Sequence, residues 1–267
     1  MGFKPVTDYQ TIRTTRTGDV LTITLNRPER LNAAPPAMFD EIADTLDHLG
    51  GARAVLITGE GRAFCSGADL AAGGAEAAAG GGQKSYRALT RSYNPTMMKI
   101  ARLDVPVVTA VNGPAAGIGC SLALASDFAI AGESAYFLQA FANIGLVPDG
   151  GASWMLARMV GKARATEMML LGERIPAAKA EAWGLIYKAV PDAELMDQAN
   201  ALAARLAAGP TRALGLMRQG LAAALESDYA KALTMEAEHQ RIAGDSEDAR
   251  EGGLSFLEKR KPAFKGR

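Results

Sequence analysis

The chain has 267 residues, enough for one large domain or two small ones, and 48% of them are hydrophobic, which is sufficient for a sizeable core. Charged residues make up 22% and the formal net charge is +0 without a long basic run, which excludes nucleic acid and anionic membranes as general partners. Two cysteines and two histidines provide neither a disulfide framework nor a metal cluster, so we expect no metal and no separate cofactor.

The start of the chain, MGFKPVTDYQ, lacks the apolar core of a signal peptide. No run reaches the roughly 18 apolar residues of a membrane span. We therefore expect a cytoplasmic protein that does not enter a membrane, with Cys65 and Cys120 as small buried side chains in the core.

Strands and helices alternate in the first half of the chain. Residues 20–26 alternate Thr with Leu and Ile, which is typical of a strand, and residues 36–49 carry apolar side chains at helical spacing. Residues 54–58 and 105–111 are apolar runs that predict buried strands. This order predicts an α/β fold with a largely buried sheet.

A segment of low complexity, residues 71–82, follows this region and is either a lid beside a site or a surface linker. The second half is predicted to be mostly helical, in segments 155–171, 177–183, 192–208, 210–224 and 229–243. The simplest division is an α/β core over residues 1–200 and a helical C-terminal extension over residues 201–267.

A turn rich in small residues follows the strand 105–111. Asn112-Gly113-Pro114 predicts the turn, and an apolar helical segment extends from Cys120 to about residue 125. Backbone N–H groups at the start of such a helix have no intrahelical acceptor, which suits a developing oxyanion. The strand 54–58 is also followed by a segment with small residues, 62–70. The segments that follow the two strands, 62–70 and 112–118, are called the strand exits below. They are able to offer one N–H each to a single oxygen.

Asp149 is the second candidate. It lies in Pro148-Asp149-Gly150-Gly151, a turn that leads into a helical segment. A carboxylate there is either a catalytic group or a turn and helix N-cap residue, and the residues alone leave both interpretations open.

Four motifs together resemble one family, the crotonase (enoyl-CoA hydratase/isomerase) superfamily. The motifs are NRPERLNA at 26–33, FCSGADL at 64–70, NGPAAGIGC at 112–120 and FLEKRKP at 256–262. They follow the same order as in the family and extend over nearly the whole chain.

The resemblance implies a spiral of ββα turns, acyl-CoA thioester substrates, and a homotrimer or dimer of trimers assembled through the C-terminal helices. It also implies that the thioester oxygen lies between the backbone N–H groups of Ala68 and Ile118, where enolate charge develops. Coenzyme A would then be part of the substrate and not a cofactor.

Hydratases of this superfamily use two glutamates, which correspond to Ser121 and Phe141 in this chain. Adding water to a double bond requires a base for the water and an acid for the α-carbon, and neither Ser nor Phe supplies these at neutral pH. The sequence therefore disfavours a hydratase of the usual kind.

The segment from Phe141 to Trp154 resembles the isomerase branch, in which a single carboxylate, here Asp149, moves a proton between the α and γ carbons. The likeness is to isomerases of the phenylacetate pathway that act on a ring-1,2-epoxide and to Δ3,Δ2-enoyl-CoA isomerases. Apolar neighbours such as Phe141, Leu146 and Trp154 are expected to raise the pKa of Asp149 by desolvation.

Three alternatives remain beside the isomerase. Aryl-CoA dehalogenases resemble the same region and use an Asp as nucleophile, but they need a His base, and residues 83–102 contain none. The other two are a hydratase or related reaction in a substituted site, and an acyl-CoA-binding protein without catalysis. The acyl group itself and the pathway are not predicted.

Further substrate contacts follow only from the resemblance. They are expected to involve the nucleotide end of coenzyme A and the acyl pocket, at Arg30, Ser66, Gly67, Asp69, Leu70, Gly117, Phe141, Phe256 and Lys259.

Overall fold

The computed structural model describes residues 9–70 and 81–267. Its strands are β1 (Ile12–Thr17), β2 (Val20–Leu25), β3 (Ala54–Gly59), β4 (Val107–Val111), β5 (Ala115–Ala116), β6 (Phe128–Gly132), β7 (Tyr136–Leu138), β8 (Ile175–Pro176) and β9 (Lys188–Val190). Its α-helices are α1 (Pro36–Asp47), α2 (Gly81–Ala88), α3 (Asn94–Arg102), α4 (Ile118–Leu124), α5 (Ala152–Thr166), α6 (Ala177–Ala182), α7 (Leu195–Ala207), α8 (Thr211–Ala224), α9 (Tyr229–Gly244) and α10 (Glu247–Leu257). The α/β prediction is confirmed, while the lid or linker segment 71–82 falls almost wholly outside the described residues.

Six strands form the main sheet in the order β1-β2-β3-β4-β6-β9. β1 and β2 are antiparallel, and each later pair of neighbours is parallel. Every residue of β4 is buried, which explains its continuous apolar sequence. The strand predicted at 105–111 begins at Val107, after Pro106, which has no N–H to donate to a neighbouring strand.

A smaller sheet in the order β5-β7-β8 lies beyond the ends of the main strands. Isolated bridges join Ala34 to Ala68 and Cys65 to Ala115, and Ala115 also pairs with Phe137 in β7. The segments that follow β3, β4 and β6 therefore lie side by side. This arrangement brings together the two strand exits that the sequence singled out.

Helices cover both faces of the main sheet. Alternate residues of β3 belong to two different clusters, because successive side chains of a strand point to opposite faces. On one face α7 packs through Leu195, Ala199, Ala203 and Ala207, which recur every four residues and let the helix approach closely. The other face holds the larger cluster, to which α1, α3 and α4 contribute.

The chain ends in α8, α9 and α10, and α8 packs against α9. Arg218 fixes α8 to the core, since its Nε donates to the Asp127 carboxylate at 2.6 and 2.7 Å. Apolar residues of α8 and α10 are exposed, including Met217 and Phe256. No helix within the described part of the chain is long and apolar enough to cross a bilayer.

The second half contains more strand than predicted. The strands β6 to β9 are two to five residues long, too short for a clear alternating pattern. The helix predicted at 155–171 is α5 followed by a π-helical turn, Glu167–Leu171, with a non-helical Gly161 inside α5. The helix predicted from Cys120 begins two residues earlier, and both cysteines are buried as predicted.

Substitution of Gly119 tests how closely the two strand exits pack against each other. A Cβ on Gly119 would lie less than 3.0 Å from the carbonyl oxygen of Cys65, so we expect Gly119→Ala to destabilise the protein by about 1–3 kcal/mol. Gly253→Ala is the matched control, since a Cβ there meets nothing within 4 Å on an exposed helix, and it should stabilise by up to about 1 kcal/mol. Urea unfolding measures both changes, and equal effects would contradict the packing described.

Candidate active site

Asn112 joins the two strand exits. Its side-chain Oδ1 accepts a hydrogen bond from the N–H of Gly59 at 3.2 Å, and its Nδ2 donates to the carbonyl of Gly61 at 2.8 Å. The backbones then pair directly, because Cys65 N–H donates to Pro114 and Ala116 N–H donates to Cys65. The turn that the sequence predicted at Asn112 therefore ties the exit of β4 to that of β3.

Gly67 and Gly117 are in contact at the end of this pairing. A Cβ on Gly117 would lie 3.8 Å from the Cα of Gly67, and one on Gly67 would lie 3.3 Å from the Ala116 carbonyl oxygen. Both glycines have positive φ, +114° and +52°, which side chains disfavour. The residues that follow them, Ala68 and Ile118, are consequently neighbours.

The N–H groups of Ala68 and Ile118 are available to a ligand. Ala34 donates to the Gly67 carbonyl and accepts from the Asp69 N–H, so the N–H of Ala68 between them points away from Ala34. Ile118 is the first residue of α4, where an N–H has no intrahelical acceptor. Neither N–H donates to another part of the described chain.

The Asp149 turn presses against the first turn of α4. Gly150 has a φ of +60°, and a Cβ there would lie 2.5 Å from Cδ1 of Ile118 and 2.8 Å from Cβ of Ser121. The hydroxyl of Ser121 donates to the Asp149 carbonyl oxygen at 2.9 Å. The backbone of the Asp149 turn is therefore tied to the first turn of α4, the helix that begins at Ile118.

The carboxyl group of Asp149 is mostly buried, and its Oδ1 has no hydrogen-bond partner among the described residues. Burial raises its pKa from 3.8 to about 6 by desolvation. Gly151 is the N-cap of α5 and no side chain caps that helix, so the N-cap interpretation of Asp149 is wrong. Leu146 and Trp154, expected to enclose this group, are 49% and 39% exposed.

Ser121 and Phe141 are the two residues that the resemblance matched to the glutamates of hydratases. Ser121 is fully buried, and the Phe141 ring would come within 3.7 Å of a Cβ on Gly117, beside the proposed oxygen site. An aromatic ring therefore borders the space in front of the two N–H groups. Neither side chain acts as a general acid or base at neutral pH.

Tyr93 is a neighbour of the site that the sequence did not reveal. Its hydroxyl donates to the Ala34 carbonyl at 2.8 Å, and its pKa is raised by burial and then by the charge of Asp149. It ends the π-helical turn Leu89–Tyr93, between α2 and α3. A deviation of this kind in a helix is often found at functional sites, but a single Tyr in a helical stretch gives no sequence signal for it.

Only some of the residues expected to contact the substrate lie close together in the structure. Ser66 adjoins Arg30, since its N–H donates to the Leu31 carbonyl and its hydroxyl lies 3.5 Å from the Arg30 carbonyl. The Asp69 carboxylate is buried and forms a 2.8 Å ion pair with Arg27, so it serves the loop that carries Ala68. Leu70 is 63% exposed beside them.

Phe256 and Lys259 lie elsewhere, at the end of α10. Phe256 is 82% exposed, and no described contact joins either residue to the loops around Ala68. Within one chain these two residues therefore do not contribute to the same surface as Arg30 and Ser66.

Comparison with known proteins places this site in context. Residues 15–267 match the family model described as Enoyl-CoA hydratase/isomerase. The chain is 43% identical over 251 residues to the 1,2-epoxyphenylacetyl-CoA isomerase of Escherichia coli (strain K12), covering 93% of this chain and 95% of that protein. It is 45% identical over 260 residues to a probable enoyl-CoA hydratase of Rhodobacter capsulatus, covering 97% and 99% of the two chains.

A solved structure supports the same relationship. A putative enoyl-CoA hydratase from Streptomyces coelicolor A3(2) has a TM-score of 0.91 and 34% sequence identity, covering 99% of this chain and 97% of that one. The crotonase-like fold that the four motifs implied is thereby confirmed.

The raised pKa of Asp149 predicts a pH-dependent cost. In the unfolded chain this carboxyl loses its proton near pH 3.8, but in the folded protein only near pH 6, so stability falls as pH rises through that window and stays low above it. We expect Asp149→Asn to raise the free energy of unfolding at pH 7.5 by up to about 3 kcal/mol and to change it little at pH 3.5. Urea unfolding at both pH values measures this, and an equal difference at both would contradict it.

Proposed function

This chain belongs to the enoyl-CoA hydratase/isomerase family, and we propose that within this family of acyl-CoA enzymes it is an isomerase that moves a proton with Asp149. The observation that carries the proposal is the buried Oδ1 of Asp149, which has no hydrogen-bond partner among the described residues and belongs to a turn bonded to the first turn of α4. The candidate substrates are a 3-enoyl-CoA and a ring-1,2-epoxide of phenylacetyl-CoA, the second supported by the name of the Escherichia coli relative.

Binding begins with the thioester oxygen between the N–H groups of Ala68 and Ile118. Removal of an α-proton turns the thioester into an enolate, and the new charge falls on that oxygen. Donors that are already fixed stabilise this charge without reorganisation, and removing one such donor costs about 3–4 kcal/mol in comparable sites. Gly67 and Gly117 hold the two donors in place by backbone contact alone.

Asp149 then acts as base and as acid in turn. For a 3-enoyl thioester, its carboxylate takes the proton from the α-carbon and returns it to the γ-carbon, so that the double bond moves into conjugation. A pKa of about 6 suits both halves of this transfer, because a proton donor and acceptor works best when its pKa is near the working pH. One carboxylate suffices because the proton leaves and returns on the same face.

A hydratase is the second candidate, favoured by the name of the Rhodobacter capsulatus relative. The site supports it less well, since Ser121 and Phe141 replace the two carboxylates of the usual hydratase. A binding protein without catalysis has no use for a buried carboxylate whose desolvation lowers stability. Each of these alternatives gives a different result in the assay below.

The acyl-CoA site is proposed to belong to a homotrimer or a dimer of trimers. Exposed apolar residues of α8 and α10 support this, among them Met217, Leu221 and Phe256. In such an assembly, Phe256 and Lys259 of one subunit are able to approach the Arg30 and Ser66 surface of another.

The substrate assay separates the three functions. We expect purified protein to convert a 3-enoyl-CoA to the conjugated 2-enoyl-CoA, seen as a rise in ultraviolet absorbance, and to leave added 2-enoyl-CoA unhydrated. Ring-epoxide phenylacetyl-CoA is assayed in parallel by chromatography. Rapid hydration of 2-enoyl-CoA would establish the hydratase, and tight binding without turnover of any of the three thioesters would establish the binding protein.

Asp149→Asn is expected to lower kcat for the isomerised substrate by about 10²–10⁴-fold, the usual value of a general acid–base. Asp245→Asn removes the same charge from an exposed helix end and serves as the matched control, with no expected change. An Asp149→Asn variant that keeps near wild-type kcat would exclude Asp149 as the proton carrier.

The pH dependence gives an independent test of the same group. Because the reaction starts with the ionised carboxylate, kcat/KM should rise with pH and level off above about pH 6, the raised pKa of Asp149 in the free enzyme. The residual activity of Asp149→Asn should lack this step. A profile that is flat between pH 4.5 and 7.5 in the wild type would contradict the assignment.

A further inference from the structure

Ser121 holds the Asp149 turn by an unusual use of its hydroxyl. A buried helical Ser ordinarily donates to the carbonyl four residues earlier. Here that acceptor, Gly117, lies at 3.5 Å, while the carbonyl of Asp149 lies at 2.9 Å, 28 residues away in sequence. The stronger bond therefore runs from α4 to the turn.

The carboxylate has little else to fix it. Its Oδ1 has no partner within residues 9–70 and 81–267, so among these residues its position is set by the backbone of the turn and by packing. Among the described residues, the other hydrogen bond to the Asp149 carbonyl comes from the N–H of Ala152, at the start of α5. Among these contacts, the Ser121 hydroxyl is the hydrogen bond that connects the turn to the helix beginning at Ile118.

The packing around residue 121 limits the size of its side chain. A Cβ on Gly150 would be 2.8 Å from Cβ of Ser121 and 3.2 Å from its Oγ, so the turn lies directly on this side chain. A longer side chain at 121 would push the turn away from α4. The contact between α4 and the Asp149 turn therefore requires a small side chain with a hydrogen-bond donor at position 121.

We propose that Ser121 is a positioning residue, whose hydroxyl sets the distance between the Asp149 carboxylate and the oxygen held by Ile118 and Ala68. This rests on the proposed function and adds to it the residue that orients the base. Because Ser121 touches the carbonyl and not the carboxylate, it acts on geometry and leaves the basicity of Asp149 unchanged. A displacement of about 1 Å in such a site lowers the rate by about 10²-fold.

The test is Ser121→Ala, which removes the hydroxyl and keeps the small volume. We expect kcat to fall 10- to 100-fold, with KM and the midpoint of the pH profile unchanged. Ser255→Ala is the matched control, because Ser255 is also buried and donates to a backbone carbonyl, that of Gly252 at 3.0 Å, in α10. Ser255→Ala should lower the free energy of unfolding by an amount comparable to Ser121→Ala and leave kcat unchanged.

A double variant distinguishes positioning of Asp149 by Ser121 from a displacement of the backbone N–H donor at Ile118. In the Asp149→Asn background, assayed at high enzyme concentration, adding Ser121→Ala should leave the residual rate unchanged, since no carboxylate remains to be positioned. A further 10-fold loss there, or a Ser121→Ala enzyme with wild-type kcat, would overturn the inference. An Asp149→Asn enzyme with wild-type kcat would instead overturn the proposed function.

Discussion

The site depends on a contact between backbones that no side chain interrupts. Gly67 lies against Ala116 and Gly117, and Gly119 lies against the carbonyl of Cys65, at distances where a Cβ would collide or crowd. These contacts bring the exits of two parallel strands together, which is what the proposed oxyanion site between the N–H groups of Ala68 and Ile118 requires. Side chains elsewhere then determine what chemistry occurs at that site.

Asp149 shows how such a site is kept reactive at the expense of stability. Its carboxyl is mostly buried, its Oδ1 has no partner in the described part of the chain, and desolvation raises its pKa to about 6. An ion pair such as that of Arg27 with Asp69 would offset that cost, but next to Asp149 it would favour the ionised carboxylate and weaken it as a proton donor. The two carboxylates thus differ: that of Asp69 fixes a loop, whereas that of Asp149 forms no ion pair with another described residue, as the proposed proton carrier requires.

The relatives agree on the family and differ in the activities their names give. A shared backbone site for an oxyanion explains this, since it serves any reaction that passes through an enolate. The discriminating features here are the Ser at 121, the Phe at 141 and the Asp at 149. Their arrangement, with Ser121 bonded to the turn of Asp149 and Phe141 beside Gly117, favours the proposed isomerase over a two-carboxylate hydratase.

The sequence alone determined the α/β class, the central strands and the two loops, because alternating or continuous apolar runs and Gly-rich turns are local signals. It also identified Asp149 as a candidate, though not whether it caps a helix. Only the tertiary structure decided that question, along with the pairing of Arg27 with Asp69, the approach of Tyr93, and the bond from Ser121 to a carbonyl 28 residues away. The short strands β5 and β8 were also revealed only by the tertiary structure. Contacts between residues far apart in sequence depend on how whole elements pack, and two-residue strands are too short to carry a pattern of their own.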